Sequence, residues 1–279
     1  MYFYSKNDKK NDPDAAHNQL DWLKDQLAMA QDKNQDVILV QHVPYGKLGG
    51  DKSYYQKKYA DKYLKIMYEY RNTIINSIGA HVHVGQQRVD SFFAHDYSAN
   101  KDIPFSNFLT RNVFNKITGD NLNKNNGNLD LQYELFNNLI LYRAITPRNL
   151  NNPGFSFTSY EVDYATNKYY PHSFKEFTFD LQDSLNSNRD PSEFWHYLFD
   201  TYSDLGIQSL TKEGFEQFHA QMFFNTDLFF RYLCYMSGYE DHPENYYRAY
   251  TVFKERDYFE QNEEALLQFY LQIKQIKKD

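Results

Sequence analysis

Three histidines carry the chemistry that this sequence offers most directly. His81-Val82-His83 sets two imidazoles two residues apart, the period at which a strand places side chains on one face. A third, His42, follows the β-branched run Val37-Ile38-Leu39-Val40. Neutral imidazole is a good ligand for zinc, iron or manganese, and histidines at the ends of neighbouring parallel strands could converge on one metal centre. A His-x-His pair among nine histidines is by itself a weak signal. The plainer alternatives are a backbone-bonded turn for His42 and solvated or core-edge side chains for His81 and His83. His95, His172, His196, His219 and His242 lie outside this pattern and read as surface or packing residues.

Elements that would position the three histidines can be read from periodicity. Leu20, Leu23, Leu27 and Ala30 recur at helical steps and predict an amphipathic helix ending near Lys33-Asn34. The strand over residues 37–40 reads as continuous and apolar, as expected of one buried on both faces of an α/β sheet. His42 then falls just past its carboxyl end, where open α/β sheets gather their ligands. The Gly-rich stretch 46–50 follows. Tyr59, Tyr63, Ile66, Tyr70 and Ile74 mark a second helix, and residues 78–84 a second strand with His81 and His83 on one face.

Further strands are predicted at Phe92-Phe93 and over residues 139–145, 155–162 and 174–181, without long helices between them, which suggests an antiparallel layer. Residues 98–132, rich in Asn, Asp and Lys, read as a surface insertion. After Asp190-Pro191 the pattern turns helical: Phe215, Phe218, Met222, Phe229 and Leu233 keep helix spacing, and residues 263–278 suggest a last helix. The chain thus divides into 1–185 and a helical subdomain, 186–279. Trp22, Trp195 and the aromatic clusters of the tail read as core, and Asn152-Pro153-Gly154 as a turn leading into a strand.

Bulk properties exclude several classes. The 279 residues carry a net charge of −7, with Lys and Arg scattered, against the basic footprint of a nucleic-acid binder. No run approaches the roughly 18 apolar residues of a membrane span, and the opening Met1-Tyr2-Phe3-Tyr4 lacks the apolar core of a secretory signal. The single cysteine, Cys234, excludes an internal disulfide.

These residues also carry a family resemblance. Residues 36–46, Asp-Val-Ile-Leu-Val-Gln-His-Val-Pro-Tyr-Gly, resemble the strand and histidine turn of calcineurin-like metallophosphoesterases, in the His-x-Pro-x-Gly form of acid sphingomyelinase and its relatives. Ala80-His81-Val82-His83 is similar to their Gly-His-x-His motif. In matching order stand Gln19-Leu20-Asp21-Trp22-Leu23, the segment ending Asn152-Pro153-Gly154, the strand over 155–163, and the tail 215–238 with Asn225-Thr226-Asp227. Departures are Ala80 for the usual glycine, Gly85-Gln86-Gln87 where Asp-x-Phe is common, and the lack of the relatives' paired tail cysteines.

The resemblance implies an α/β fold: part of a metallophosphoesterase β-sandwich flanked by helices, with a carboxy-terminal helical subdomain. It implies two zinc ions that bridge a phosphoryl group, offset its growing charge and hold an activated water in line with the leaving oxygen. His42 and His81 would bind the second metal and His83 the first. The remaining ligands and the proton-donating histidine belong to Asp-x-His, Gly-Asp-x-x-Asp and Gly-Asn-His motifs that do not occur here, so the catalytic residues are unassigned. The chain is accordingly expected to start midway through the domain, as a fragment or an incomplete gene model. The implied substrate is a phosphodiester, with a lipid head group among the candidates, and the implied location of the parent protein is extracellular or lysosomal. The rival expectations are a catalytically silent binding or scaffold protein on the same fold, and a mononuclear histidine-metal protein. Oligomeric state is not legible.

Overall fold

The computed structural model describes residues 14–45, 54–93, 133–147, 151–242, 244–246 and 249. Leu20, Leu27, Ala16 and Ala30 form the buried stripe of α1 (Ala15–Asp32), which reaches the predicted stop: Lys33 caps it and Asn34 turns left-handed at φ 52°. The chain then enters β1 (Val37–Val40), crosses over through α2 (Lys57–Glu69), and returns as β2 (Ile74–Gly79) parallel to β1. The two helices lie together, with the Lys24–Glu69 and Lys62–Asp21 ion pairs linking their exposed flanks. Tyr59, Tyr63, Leu64 and Met67 of α2 share a core with Leu20, Leu27, Ile74 and Phe136.

This first sheet continues through β3 (Gln86–Phe93) and β4 (Tyr133–Leu141) in the order β1-β2-β4-β3. A second sheet holds β5 (Gly154–Asp163), β6 (Lys168–Phe179) and β7 (Trp195–Asp200), all antiparallel. Between β6 and β7 lie the short helix α3 (Leu181–Leu185) and a 3₁₀ turn, Pro191–Phe194. The helices α4 (Lys212–Phe224) and α5 (Thr226–Ser237) follow. Their residues Phe215, Phe218, Tyr232, Leu233 and Met236 pack with Leu139, Leu141, Phe174 and Phe199 in a second core on the other side of the first sheet. Tyr160 of β5 spans the sheets, donating to Asn76 Oδ1 of β2 at 3.2 Å.

The fold is α/β, as expected, with several corrections. Strand β1 is not buried on both faces: Ile38 is 40% and Val40 72% exposed, while Val37 and Leu39 face α1 and α2. Helix α2 ends at Glu69, because Thr73 N–H returns to the Tyr70 carbonyl and Ile74 already begins β2. Strand β2 stops at Gly79 rather than running on to residue 84. Strand β4 begins earlier than predicted and is parallel to β2, antiparallel only to β3. The segment after Asp190-Pro191 is not wholly helical, since β7 pairs with β6 before α4 starts. Its residues, Trp-His-Tyr-Leu-Phe-Asp, carry no alternation that would mark a strand, and Leu198, Phe199 and Asp200 are buried in succession. Trp22 is 60% exposed, on the solvent side of α1, rather than core. The stretches 46–50, 98–132 and 263–278 lie outside the described residues.

Side-chain caps explain why the helical tail is two helices. Thr211 accepts from Gly214 N–H and starts α4; Asn225 accepts from Leu228 N–H and starts α5 at a break that the apolar spacing crosses unmarked. At the end of α5, Gly238 takes φ +83°, and Tyr239 N–H bonds back to the Cys234 carbonyl. This αL cap needs glycine twice over, because a methyl there would also overlap the Arg143 guanidinium.

That guanidinium is sealed from water and paired with Glu176 (Nε to Oε1, 2.8 Å). Nη1 donates to the Asn152 carbonyl and Thr178 Oγ1, Nη2 to the Phe177 carbonyl, and Ser156 donates to Glu176. Burial raises the Glu176 carboxyl against the opposing pull of Arg143. Removing one partner leaves the other buried and uncompensated. Arg143→Met should therefore cost about 3–5 kcal/mol in urea denaturation, far more than the loss of an exposed pair such as Lys24–Glu69.

Cys234 lies in the second core, and burial pushes its thiol up to about 12. Since the thiolate is the reactive species, native protein at pH 8 should leave a chromogenic disulfide reagent unconsumed, and denatured protein should consume one equivalent. Prompt reaction in the native state would contradict this burial.

Candidate metal centre

Adjacent parallel strands bring their carboxyl ends to the same edge of a sheet, so the turns after β1 and β2 are neighbours by topology. The pairing extends past the strands themselves. Gln41 N–H donates to the Ile78 carbonyl and Ala80 N–H to the His42 carbonyl, both at 2.9 Å. His42 therefore lies opposite the Ala80-His81 step. Their imidazoles meet there, His42 Nε2 and His81 Nδ1 being 3.3 Å apart with ring planes at 80°. The ring of Tyr54 stands perpendicular to His81 at a centroid distance of 5.3 Å.

The turn carrying His42 is held from beneath. Val43, Tyr45 and Gln41 are buried, and His42 between them is exposed. Tyr55 donates to the Val43 carbonyl at 2.8 Å and lies 3.0 Å from Gln41 Oε1, which Tyr63 also approaches at 3.1 Å. Burial raises the Tyr55 phenol well above its ordinary value of 10.0, so it remains a donor. The Tyr-rich composition thus supplies a hydrogen-bonded floor of Tyr45, Tyr55 and Tyr63 whose rings also pack on one another.

His81 and His83 are not on a strand. After Gly79 the chain bends, and both residues adopt left-handed backbone, φ 71° and 62°. The predicted alternation survives as burial: Val82 and Val84 are sealed in the second core, and His81 and His83, which alternate with them, are half-buried. His83 does not join the His42–His81 pair. Its carbonyl accepts from Asn151 Nδ2 at 2.6 Å, and Gly85 N–H donates to the Met236 carbonyl at the end of α5. Among the described residues no group of three or more His, Cys, Asp or Glu side chains gathers as a metal-binding set.

The pair itself fits a metal ion. Two imidazole nitrogens bound to tetrahedral zinc at about 2.0–2.1 Å stand roughly 3.3–3.4 Å apart, and the observed separation is 3.3 Å. Without metal the same spacing suits a hydrogen bond, one nitrogen donating and the other accepting. A tetrahedral ion held by this pair would need further ligands.

Of the other histidines, His172 lies 3.6 Å from Glu161, His196 3.8 Å from Glu240, and His242 3.7 Å from Glu244, all remote in role from the pair. Asn152-Pro153-Gly154 leads into β5 without a turn and without a left-handed glycine; Asn152 carries a carbonyl bound by Arg143, and a methyl on Gly154 would overlap that guanidinium. Sequence reasoning missed Gln41, Tyr55 and Asn151. Nothing in local spacing marks them, since each acts on a residue that only the fold brings near.

No family model and no curated protein matches the chain.

Tyr55→Phe removes the donor to the Val43 carbonyl while keeping the ring. An orphaned buried acceptor costs about 1–3 kcal/mol, and a loss in that range by urea denaturation is expected. No measurable loss would mean that the floor beneath His42 holds by packing alone.

Proposed function

We propose that this protein is a metal-dependent phosphodiester hydrolase of the acid sphingomyelinase-like kind, converting a phosphodiester to a phosphomonoester. The observation that supports this reading most is the His42–His81 pair: two imidazole nitrogens at metal-bridging distance, at the carboxyl ends of adjacent parallel strands. The motifs around the pair support it as well, the His-x-Pro-x-Gly turn at His42 and the His-x-His at His81 and His83.

In this reading His42 and His81 would hold one zinc ion, and His83 would contribute to a second. Bound zinc supplies Lewis-acid neutralisation of charge on the phosphoryl oxygens. The chain's own part is positional. The Ala80 to His42 backbone bond keeps the two imidazoles together, and the tyrosine floor prevents the His42 turn from collapsing onto the sheet. His42 is exposed and His81 half-buried, so the pair can meet a charged substrate such as a phosphodiester, a lipid head group included.

Metal content by mass spectrometry after zinc loading and desalting, with hydrolysis of a chromogenic phosphodiester in the same samples, tests the reading. Wild type should retain zinc and turn over substrate, and His42→Ala and His81→Ala should each lose the metal and fall to background. Wild-type protein that retains no zinc would sink the proposal. Zinc retained without turnover would point to the catalytically silent binding protein on the same fold.

A further inference from the structure

Two non-glycine residues in left-handed backbone within three positions, His81 and His83, are an uncommon arrangement. Such backbone persists only where surrounding contacts over-determine it. Hydrogen bonds that hold this bend include Ala80 N–H to the His42 carbonyl, Val82 N–H to the Ala80 carbonyl, Gly85 N–H to the Met236 carbonyl, and Asn151 Nδ2 to the His83 carbonyl. The first three are main chain to main chain and are available to any residue type. The last depends on one side chain.

Asn151 is 3% exposed, and its Oδ1 is buried without a hydrogen-bond partner. The residue thus keeps a buried amide of which only the donor half is used, and that donor goes to the histidine bend. Its base is rigid. The Asn152 carbonyl accepts from Arg143, Asn152 Nδ2 donates to the Gly238 carbonyl at 3.2 Å, and the Pro153 carbonyl accepts from Phe179 N–H and Thr178 Oγ1. A short segment clamped to β6 and to the end of α5 therefore reaches across to the turn that presents His81.

We propose that Asn151 is a positioning residue for the candidate metal centre. Its amide fixes the His81-Val82-His83 bend, and through that bend the approach of His81 Nδ1 to His42 Nε2, so the affinity for a divalent cation depends on it. The claim about affinity rests on the metal reading above; the claim about imidazole geometry does not.

Full-length protein labelled with ¹⁵N-histidine allows both to be followed. Long-range proton–nitrogen spectra without metal report whether His42 and His81 each hold one tautomer, as a paired geometry requires, and cobalt(II) titration reports affinity and coordination through its visible absorption. Asn151→Ala should scramble the two tautomers and weaken cobalt binding by about ten- to a hundredfold, the usual effect of losing a residue that orients a ligand. Thr211→Ala, which loses the cap that starts α4 and no contact to the bend or to the 151–153 segment, should lower the melting temperature and leave the imidazole signals and cobalt affinity as in wild type. Asn151→Asp, nearly isosteric but without the donor at neutral pH, should behave as Asn151→Ala does.

If Asn151→Ala, still folded, keeps the wild-type tautomers, the proposal is overturned. It is also overturned if Thr211→Ala disturbs the imidazoles equally, since the effect would then be general loosening. If wild type binds no cobalt yet Asn151→Ala and Asn151→Asp scramble the tautomers, the positioning role stands and the metal reading fails.

Discussion

A guanidinium sealed from water must find partners for its donors, because burying an unpaired charge costs several kcal/mol. In this fold Arg143 meets that demand by drawing four elements to one point. It leaves the end of β4, pairs with Glu176 of β6, binds the carbonyl of Asn152 in the segment before β5, and crowds Gly238 at the cap of α5. The second sheet, the tail helices and the first sheet are thereby fixed to one another at the end of the molecule where the histidines lie. Apolar packing of Phe174, Phe199, Phe215 and Leu233 supplies the bulk of the attraction there, but it is less directional. The ion pair sets which parts face which.

The candidate centre draws on that anchor from one side and on the first core from the other. From the first core come α2 and its tyrosines, which hold the His42 turn up against the edge of the sheet. From the anchor come Asn151 and the end of α5, which hold the bend of His81 and His83. Each histidine is at least partly open to solvent, yet the backbone beneath it is buried and hydrogen-bonded. This division suits a ligand site, where side chains must reach an ion while their main chain stays still.

Left-handed backbone at His81 and His83 changes how the motif works. A strand would have put both imidazoles on one face, side by side, and aimed both at one ion. The bend separates them, so His81 turns to His42 across the parallel strands, and His83 is carried toward the Asn151 side. The valines between them take the apolar contacts that a strand would also have satisfied. Burial alternation is thus kept while the hydrogen-bond ladder between the parallel strands is given up after Ala80.

Much was legible in the residues alone. Apolar spacing at three and four places α1 and the core of α2, a β-branched run places β1, the Phe-, Thr- and Tyr-bearing run places β5, and the proximity of His42 to a strand end follows from the Val37–Val40 run. These are local properties, set by which side chains must leave water. What the sequence could not decide is where each strand pairs. The parallel insertion of β4 between β2 and β3, the pairing of β7 with β6, the exposure of Val40 and the stop at Gly79 all depend on partners distant along the chain. The same holds for the site. Residue types nominated His42, His81 and His83, but the meeting of two of them at 3.3 Å, and the support of the third by an asparagine 68 residues away, exist only once the sheets are assembled. Hydrogen bonds and ion pairs are short-ranged and directional, so their partners are chosen by tertiary structure, whereas burial tendency is written residue by residue.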